Sequence, residues 1–446
     1  MNLMQRVRSS SFFLLFNFHD ELAKGRSCII MHSTLSNIIS GLTAGLFYTS
    51  FLMANGINIV NIGIISFVPS IASCFGIFAP SILERFKHRK WLLVGVRWFS
   101  STLTILGVTL LPRFVEDTGL KTVLFVVLIF TANLVDHLVG SGFSVWHLQF
   151  MPERVRADFL AIQSLITNVV GLTVALVSGL VADSLAGSPY ENTIIVVFRY
   201  IAYLLLLVDI AILAWPKEFP YERSREKPRL QDIIMLPLRS RKFILTVGVL
   251  WLYSFFSSIP VSVLNVHLLN NVGVSYSYMN VVDVFYSLFL ILLLRPWRQA
   301  LRKIGWWKLF ALTTIVQAPI TLMYSCVTSA NYLWLMTTVR LLQHATGIGQ
   351  SLAVGNLIYI NLPRTDQTNY LSFNSLVGSV AGFLGGFVGT SFVAAFPNME
   401  LNLLGMSFCN VQVLQWILAV GQFLVPMLVF CFLKHLQPDD PDRIYG

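Results

Sequence analysis

Long apolar runs, interrupted at short intervals by polar and basic clusters, set the plan of this chain. The stretches Val60 to Leu83, Trp91 to Leu111, Thr122 to Trp146, Ile194 to Trp215 and Val411 to Leu433 each reach the roughly 20 residues that an α-helix needs to cross a hydrocarbon core. Read in the same way, the whole chain predicts about twelve helices, centred near Asn37, Pro69, Ser101, Phe130, Gly171, Tyr203, Phe256, Leu288, Gln317, Gly347, Gly382 and Gly421. Such runs fit helices in lipid and not a barrel, whose strands alternate over about ten residues.

Composition agrees. A chain of 446 residues that is 55% hydrophobic and only 12% charged is too apolar for a soluble multi-domain protein, so a polytopic membrane protein is expected. The formal charge of +10 does not call for nucleic acid, because the basic residues fall in alternate loops. Arg85, Lys87, Arg89 and Lys90 follow the second span, Arg154 and Arg156 the fourth, Arg295, Arg298, Arg302, Lys303 and Lys308 the eighth, and Arg364 the tenth. The stretch Lys217 to Lys242 adds Arg223, Arg225, Lys227, Arg229, Arg239 and Arg241, while the opposite loops offer little beyond Arg113 and Lys121. By the positive-inside rule both termini are expected in the cytoplasm.

The expected organisation is a cytoplasmic lead-in over 1–28, a six-helix bundle over 29–215, a basic cytoplasmic loop over 216–242 with Pro216, Pro220, Pro228 and Pro237, a second six-helix bundle over 243–434, and a cytoplasmic tail over 435–446. The lead-in has no small-residue cleavage site and reads as a surface-lying segment, not a signal peptide. Five cysteines, Cys28, Cys74, Cys326, Cys409 and Cys431, lack metal-ligand spacing and read as small apolar fillers.

The two halves echo each other. Asp136-His137-Leu138-Val139-Gly140-Ser141-Gly142 returns as Gln343-His344-Ala345-Thr346-Gly347-Ile348-Gly349. The pattern Pro152, Phe159-Leu160, Ser164-Leu165, Gly171 returns as Pro363, Tyr370-Leu371, Ser375-Leu376, Gly382 in one register. Duplication is the natural reading, with the glycines as helix-contact positions.

About twelve spans in two like-sided halves, with a basic loop between spans two and three, resembles the major facilitator superfamily of secondary transporters over nearly the whole chain. That family's loop signature is Gly-x-x-x-Asp-Arg-x-Gly-Arg-Arg/Lys. Here the run is Pro80-Ser81-Ile82-Leu83-Glu84-Arg85-Phe86-Lys87-His88-Arg89-Lys90, with Pro80 and Lys87 in place of both glycines. The resemblance implies an all-α fold of two pseudo-symmetric bundles, an inner-gate role for Glu84, Arg85, Arg89 and Lys90, and a mid-membrane cavity lined largely by helices one, four, seven and ten.

Candidate chemistry follows from ionisable groups inside lipid-length helices, which are costly and usually face a protein interior or a watered cavity. His137 and His344 are each expected roughly 18 to 24 Å from the outer ends of their helices, at 1.5 Å per residue. Asp136 supplies a carboxylate deep in the first half, and Asp136 with either histidine is the expected proton site. Arg340, one turn before His344 with Gln343 between, reads as a clamp for an anionic or carbonyl-bearing group, or as the partner of Asp136 or Asp283. The copies differ where coupling is expected: Asp136 corresponds to Gln343, and Asn133 to Arg340. Asn37, Tyr253 and Asn265 are the neutral polar candidates, with packing as the alternative role. Asp283 reads as a solvated vestibule residue. Arg97, Arg199 and Asp209 fall in the third and sixth spans, which the family places at the bundle periphery, and the two arginines lie close enough to helix ends to snorkel.

No Walker loop, His-x-x-x-His cluster or Gly-x-Ser-x-Gly elbow occurs in the sequence, so ATP hydrolysis, metal and enzyme chemistry are not expected, nor any cofactor. The reading is a monomeric, proton-coupled secondary transporter of a small solute in the cell membrane, working by alternating access. Its alternatives are an exporter of amphipathic drug-like or lipid-like compounds, suggested by 13% aromatic content, and, from another class, a non-transporting membrane sensor or lipid-acting protein.

Overall fold

The computed structural model describes residues 20–151, 153–219, 230–363, 367–403 and 405–438. Most of the expected lead-in, the centre of the basic loop with Arg223, Arg225, Lys227 and Arg229, the tenth-span loop residue Arg364 and the end of the expected tail lie outside the described residues. Among the described residues lie twelve membrane-length spans, most of them single helices and several jointed. They are Glu21–Ala54, Ile59–Leu83, Lys90–Phe114, Thr118–Leu148, Glu153–Ser184, Glu191–Ala214, Arg241–Val272, Tyr276–Ile304, Trp306–Ser325, Tyr332–Ile360, Gln367–Ala395 and Asn410–Cys431. Ten are long and apolar enough to cross a membrane on those grounds alone. The ninth and tenth, with Lys308 and Gln317 and with Arg340, Gln343 and His344, are the more polar pair.

Local chemistry sets the ends. The first helix starts at Glu21, inside the stretch read as a lead-in, because the Asp20 carboxylate caps it by accepting from the N–H groups of Leu22 and Ala23 at 3.4 and 3.3 Å. Asp117 caps the fourth span through Leu120 N–H at 2.6 Å, which moves that span's start from the expected Thr122 to Thr118. Part of the expected basic loop is itself helical, over Leu230–Arg239. Its Ile233 is buried, Ile234, Met235 and Leu238 are exposed, and the Tyr370 hydroxyl donates to Leu236 O at 3.2 Å. A two-stranded antiparallel hairpin, β1 Glu400–Leu403 and β2 Met406–Cys409, with Gly405 at φ 79°, joins the last two spans. Hydropathy gave no sign of it.

The chain forms two compact units, residues 1–55 with 75–228 and residues 56–74 with 229–446. The first half of the second span thus belongs to the second unit, where Phe67 meets the rings of Phe383 and Phe387 on the eleventh span at 5.4 and 6.2 Å. A Cβ on Gly63 would collide there with Thr390. The core of the first unit gathers Leu93, Trp146, Phe150 and Phe159, and that of the second Leu309, Phe310, Leu357 and Val429. Outward positions such as Leu204 and Ile291 are exposed and apolar, as a lipid-facing surface requires.

Close helix approach uses glycine. On the eleventh span, Cβ atoms at Gly385 and Gly389 would strike the Phe255 and Ile259 carbonyls of the seventh. On the fifth, Gly171 lies against the Asn37 side chain of the first.

Two of the interruptions in the helical ladders of the first unit share one partner. The first span breaks at Ala44, followed by Gly45 at φ 58°, and the third passes through a π-turn over Leu103–Gly107. Each frees carbonyls that lipid cannot satisfy. Arg199, on the sixth span and 1% exposed, meets them: its guanidinium donates to Thr104 O at 2.7 Å, Thr43 O at 3.2 Å, Ile105 O at 3.4 Å and Thr109 Oγ1 at 2.7 Å. The rings of Phe51 and Tyr48 lie 4.7 and 5.7 Å from it. Arg199 therefore does not snorkel; the freed carbonyls hold it inside.

Replacing Arg199 with Met leaves these acceptors unmet, at about 1–3 kcal/mol for each buried group. Thermal unfolding of purified protein should show a large drop in midpoint for R199M and a smaller one for R199K.

Candidate functional site

In the second unit the spacing of Arg340 and His344, four residues apart on the tenth span, puts both on one helix face. Asp283 on the eighth span faces them. Arg340 Nη2 lies 2.5 Å from Asp283 Oδ1, and His344 Nε2 lies 3.6 Å from the same oxygen. The Asp283 side chain is 51% exposed while that of His344 is 11% exposed, so the carboxylate opens toward surroundings from which its partners are withdrawn. The Tyr286 ring packs 5.5 Å from that of His344. Arg340 Nε and His344 Nε2 are buried with no hydrogen-bond partner in the structure. The arrangement combines one fixed cation with two groups that can change charge.

Two further links tie the eighth span to the tenth. The Tyr278 hydroxyl shares a hydrogen bond with Thr337 Oγ1 at 2.6 Å and reaches Tyr332 O at 3.0 Å. The Trp297 indole N–H donates to Ala345 O at 2.9 Å, and a Cβ on Gly349 would lie 2.6 Å from that ring. Gly349 is thus a contact position, as is Gly142 in the first unit, whose Cβ would fall 2.8 Å from Leu93 and 3.1 Å from Leu83. Asp283 is an ion-pair partner and not merely a vestibule residue, so Arg340 has its carboxylate within its own unit.

In the first unit Asp136 is half-buried and accepts a long hydrogen bond from Ser100 Oγ at 3.4 Å. His137 is half-buried next to the second span, its carbonyl 3.6 Å from a Cβ built on Gly76. The expected match in depth with His344 does not hold along the helices. His137 comes 19 residues after Thr118 and His344 12 residues after Tyr332, about 28 and 18 Å at 1.5 Å per residue. The Asp117 cap lengthens the fourth span beyond its apolar run, which accounts for part of the difference.

The remaining candidates take packing positions or stand apart. Asn37 fills the space over Gly171. Tyr253 meets Phe310 edge-on at 5.4 Å. Asn265 and Gln343 are half-buried. Of the loop residues, Arg89 and Lys90 start the third span and their backbone N–H groups both donate to Glu218 Oε1, the latter at 2.9 Å. A carboxylate at a helix N-terminus is favoured by the helix dipole. Lys90 Nζ donates to Pro216 O at 2.7 Å and Arg89 Nε to Phe86 O at 3.2 Å. Glu84 is half-buried and Arg85 exposed.

A second charged cluster was not among the candidates. Asp209 of the sixth span, 0% exposed, lies 2.7 Å from His32 Nδ1 of the first and 3.9 Å from Arg97 Nε of the third. The signal was available: a carboxylate inside a 24-residue apolar helix is expensive in lipid and must find partners.

Twelve lipid-length helices, with ionisable groups drawn together inside each unit, define a polytopic membrane protein. The profile of the Major Facilitator Superfamily matches residues 33–386, and the chain belongs to that superfamily. It is a multi-pass membrane protein and a secondary transporter, not an enzyme. No curated protein matches its sequence. Solved structures share the fold at low identity. The nucleoside transporter NupG, in a point-mutant form, superposes with a TM-score of 0.67 at 13% identity, over 93% of this chain and 100% of that one. A D-xylose-proton symporter gives 0.62 at 12%, over 92% and 98%. The inward-open xylose transporter XylE from E. coli gives 0.59 at 14%, over 93% and 98%.

The Asp283–Arg340 pair can be tested by a double-mutant cycle. D283N and R340Q should each lower the unfolding free energy by about 1 kcal/mol, because Asp283 is half exposed. The double variant should lose less than the sum of the two; simple additivity would show that the pair does not couple.

Proposed function

We propose that the chain moves a small solute across the cell membrane by alternating access, coupled to protons, with both termini in the cytoplasm. The observation that carries this reading is the Asp283, Arg340 and His344 cluster, an ionisable group of three set within two spans.

The chemistry runs as an exchange of partners. With Asp283 ionised, Arg340 is neutralised by it. A proton arriving at Asp283, or relayed there from His344, removes that charge and leaves the guanidinium without a carboxylate. Arg340 then engages an anionic or carbonyl-bearing group of the solute through its fork of donors. Return of the proton to the other side restores the ion pair and expels the solute. Asp136 and His137 take the corresponding role in the first unit, with Ser100 holding the carboxylate. Glu84, Arg85, Arg89 and Lys90 serve the inner gate, where Glu218 anchors the start of the third span. Asn37, Tyr253, Asn265 and Gln343 supply neutral contacts to the solute.

The test uses the full chain. A ligand that binds only the folded protein raises its unfolding midpoint, so a thermal-shift screen of sugars, nucleosides, organic acids and peptides at several pH values identifies the solute class. Uptake of that solute into vesicles under an imposed pH gradient follows. Asp283→Asn should cut gradient-driven uptake at least tenfold while solute exchange without a gradient persists. Unchanged uptake in D283N, D136N, H137A and H344A alike would sink the proposal.

A further inference from the structure

The geometry points to a proton-binding site inside the first unit, formed by His32 with Asp209 as its counter-charge and Arg97 as its competitor. It is built from residues of three spans that the proposed function does not use. His32 comes 11 residues after the start of its helix at Glu21, Arg97 seven after Lys90, and Asp209 five before the end of the sixth span at Ala214.

An ionised carboxylate only accepts hydrogen bonds, so the 2.7 Å contact between His32 Nδ1 and Asp209 Oδ1 places the imidazole hydrogen on Nδ1. Nε2 is then the free basic position. The other carboxylate oxygen is held less firmly. Asp209 Oδ2 and Arg97 Nε are buried, face each other at 3.9 Å, and neither has a hydrogen-bond partner. Arg97 instead spends Nη2 on Ser36 Oγ of the first span at 3.0 Å. With His32 neutral, the carboxylate and guanidinium cancel. A proton added to Nε2 brings the trio to one net positive charge and makes His32 the stronger partner of Asp209, while the Nδ1–H bond stays in place. Two links that fasten the first span to the third and sixth, His32 to Asp209 and Ser36 to Arg97, therefore respond to one proton.

The surroundings limit what else can titrate with it. From the fourth span, His147 packs 5.8 Å from the His32 ring and Phe143 stacks on it at 6.1 Å. From the fifth, Gln163 donates to Ser33 Oγ at 2.6 Å. Lys24 lies about two turns before His32 on the first span. Among the described side chains, Asp209 is the carboxylate in contact with His32.

The experiment needs no solute, so it stands or falls separately from uptake. The full chain is labelled with 13C and 15N at histidine, placed in lipid nanodiscs, and its eight imidazoles are followed by NMR from pH 5 to pH 8, where such rings change charge. One signal should keep its Nδ1 proton throughout, gain a proton at Nε2, and be absent from H32Q, in which Gln still donates to Asp209. In D209N that signal should change its midpoint, because the charge that faces the ring is gone; this identifies the signal even if H32Q does not fold. A His32 ring unchanged across the range, one that titrates at Nδ1, or a midpoint untouched by D209N would each overturn the site and leave a structural clamp.

Discussion

Hydrocarbon offers no water to complete an unmade hydrogen bond, and the details of this fold depend on that constraint. Every departure from a straight helix exposes backbone carbonyls that the protein itself must satisfy. In the first unit the crease at Ala44 and the π-turn at Leu103–Gly107 lie close enough for one side chain to serve both, and Arg199 does so from the sixth span. An arginine with no carboxylate in its hydrogen-bond shell is unusual inside a membrane protein. Here the charge is spread over carbonyl dipoles and the faces of Tyr48 and Phe51. The residue joins the first, third and sixth spans into one packed set.

The same constraint governs the ionisable groups. Each unit sets an aspartate between an arginine and a histidine: Asp209 with Arg97 and His32, and Asp283 with Arg340 and His344. The composition is shared, yet the positions are not related by the sequence repeat, since one trio uses spans one, three and six and the other spans eight and ten. Burial differs as well, with Asp209 fully enclosed and Asp283 half open. The charged trios therefore do not follow the repeat that the sequence strings suggest.

Hydropathy made the twelve spans legible, and the loop charges and repeated strings made the family legible. What it does not carry is azimuth. A residue's distance from a helix end says how deep it sits and nothing about whether it faces lipid or a neighbour, which is why Arg199 and Asp209 read as peripheral and are instead among the most buried groups. Depth itself was misjudged where capping extends a helix past its apolar run, as at Asp117 and Asp20. The hairpin at Glu400–Cys409 lay beyond reach because eight residues of strand have no span-length signature. Of the repeated string, Gly142 and Gly349 are contact positions against Leu93 and Trp297, and His344 joined a charged cluster through Asp283, a residue the string does not contain.

The eighth and tenth spans are joined by Tyr278, by the Asp283–Arg340 pair and by Trp297. Three attachments at different heights remove the freedom of one helix to slide or roll on the other. The two spans are braced as a single plank, which keeps the helix positions that carry the charged trio in register. The first unit has joints at Ala44 and Leu103–Gly107, both met by Arg199, and the seventh span of the second unit is jointed as well, through a π-turn over His267–Val272. The second unit therefore combines a braced pair of helices with a jointed one, so rigidity here belongs to particular helix pairs and not to a whole half.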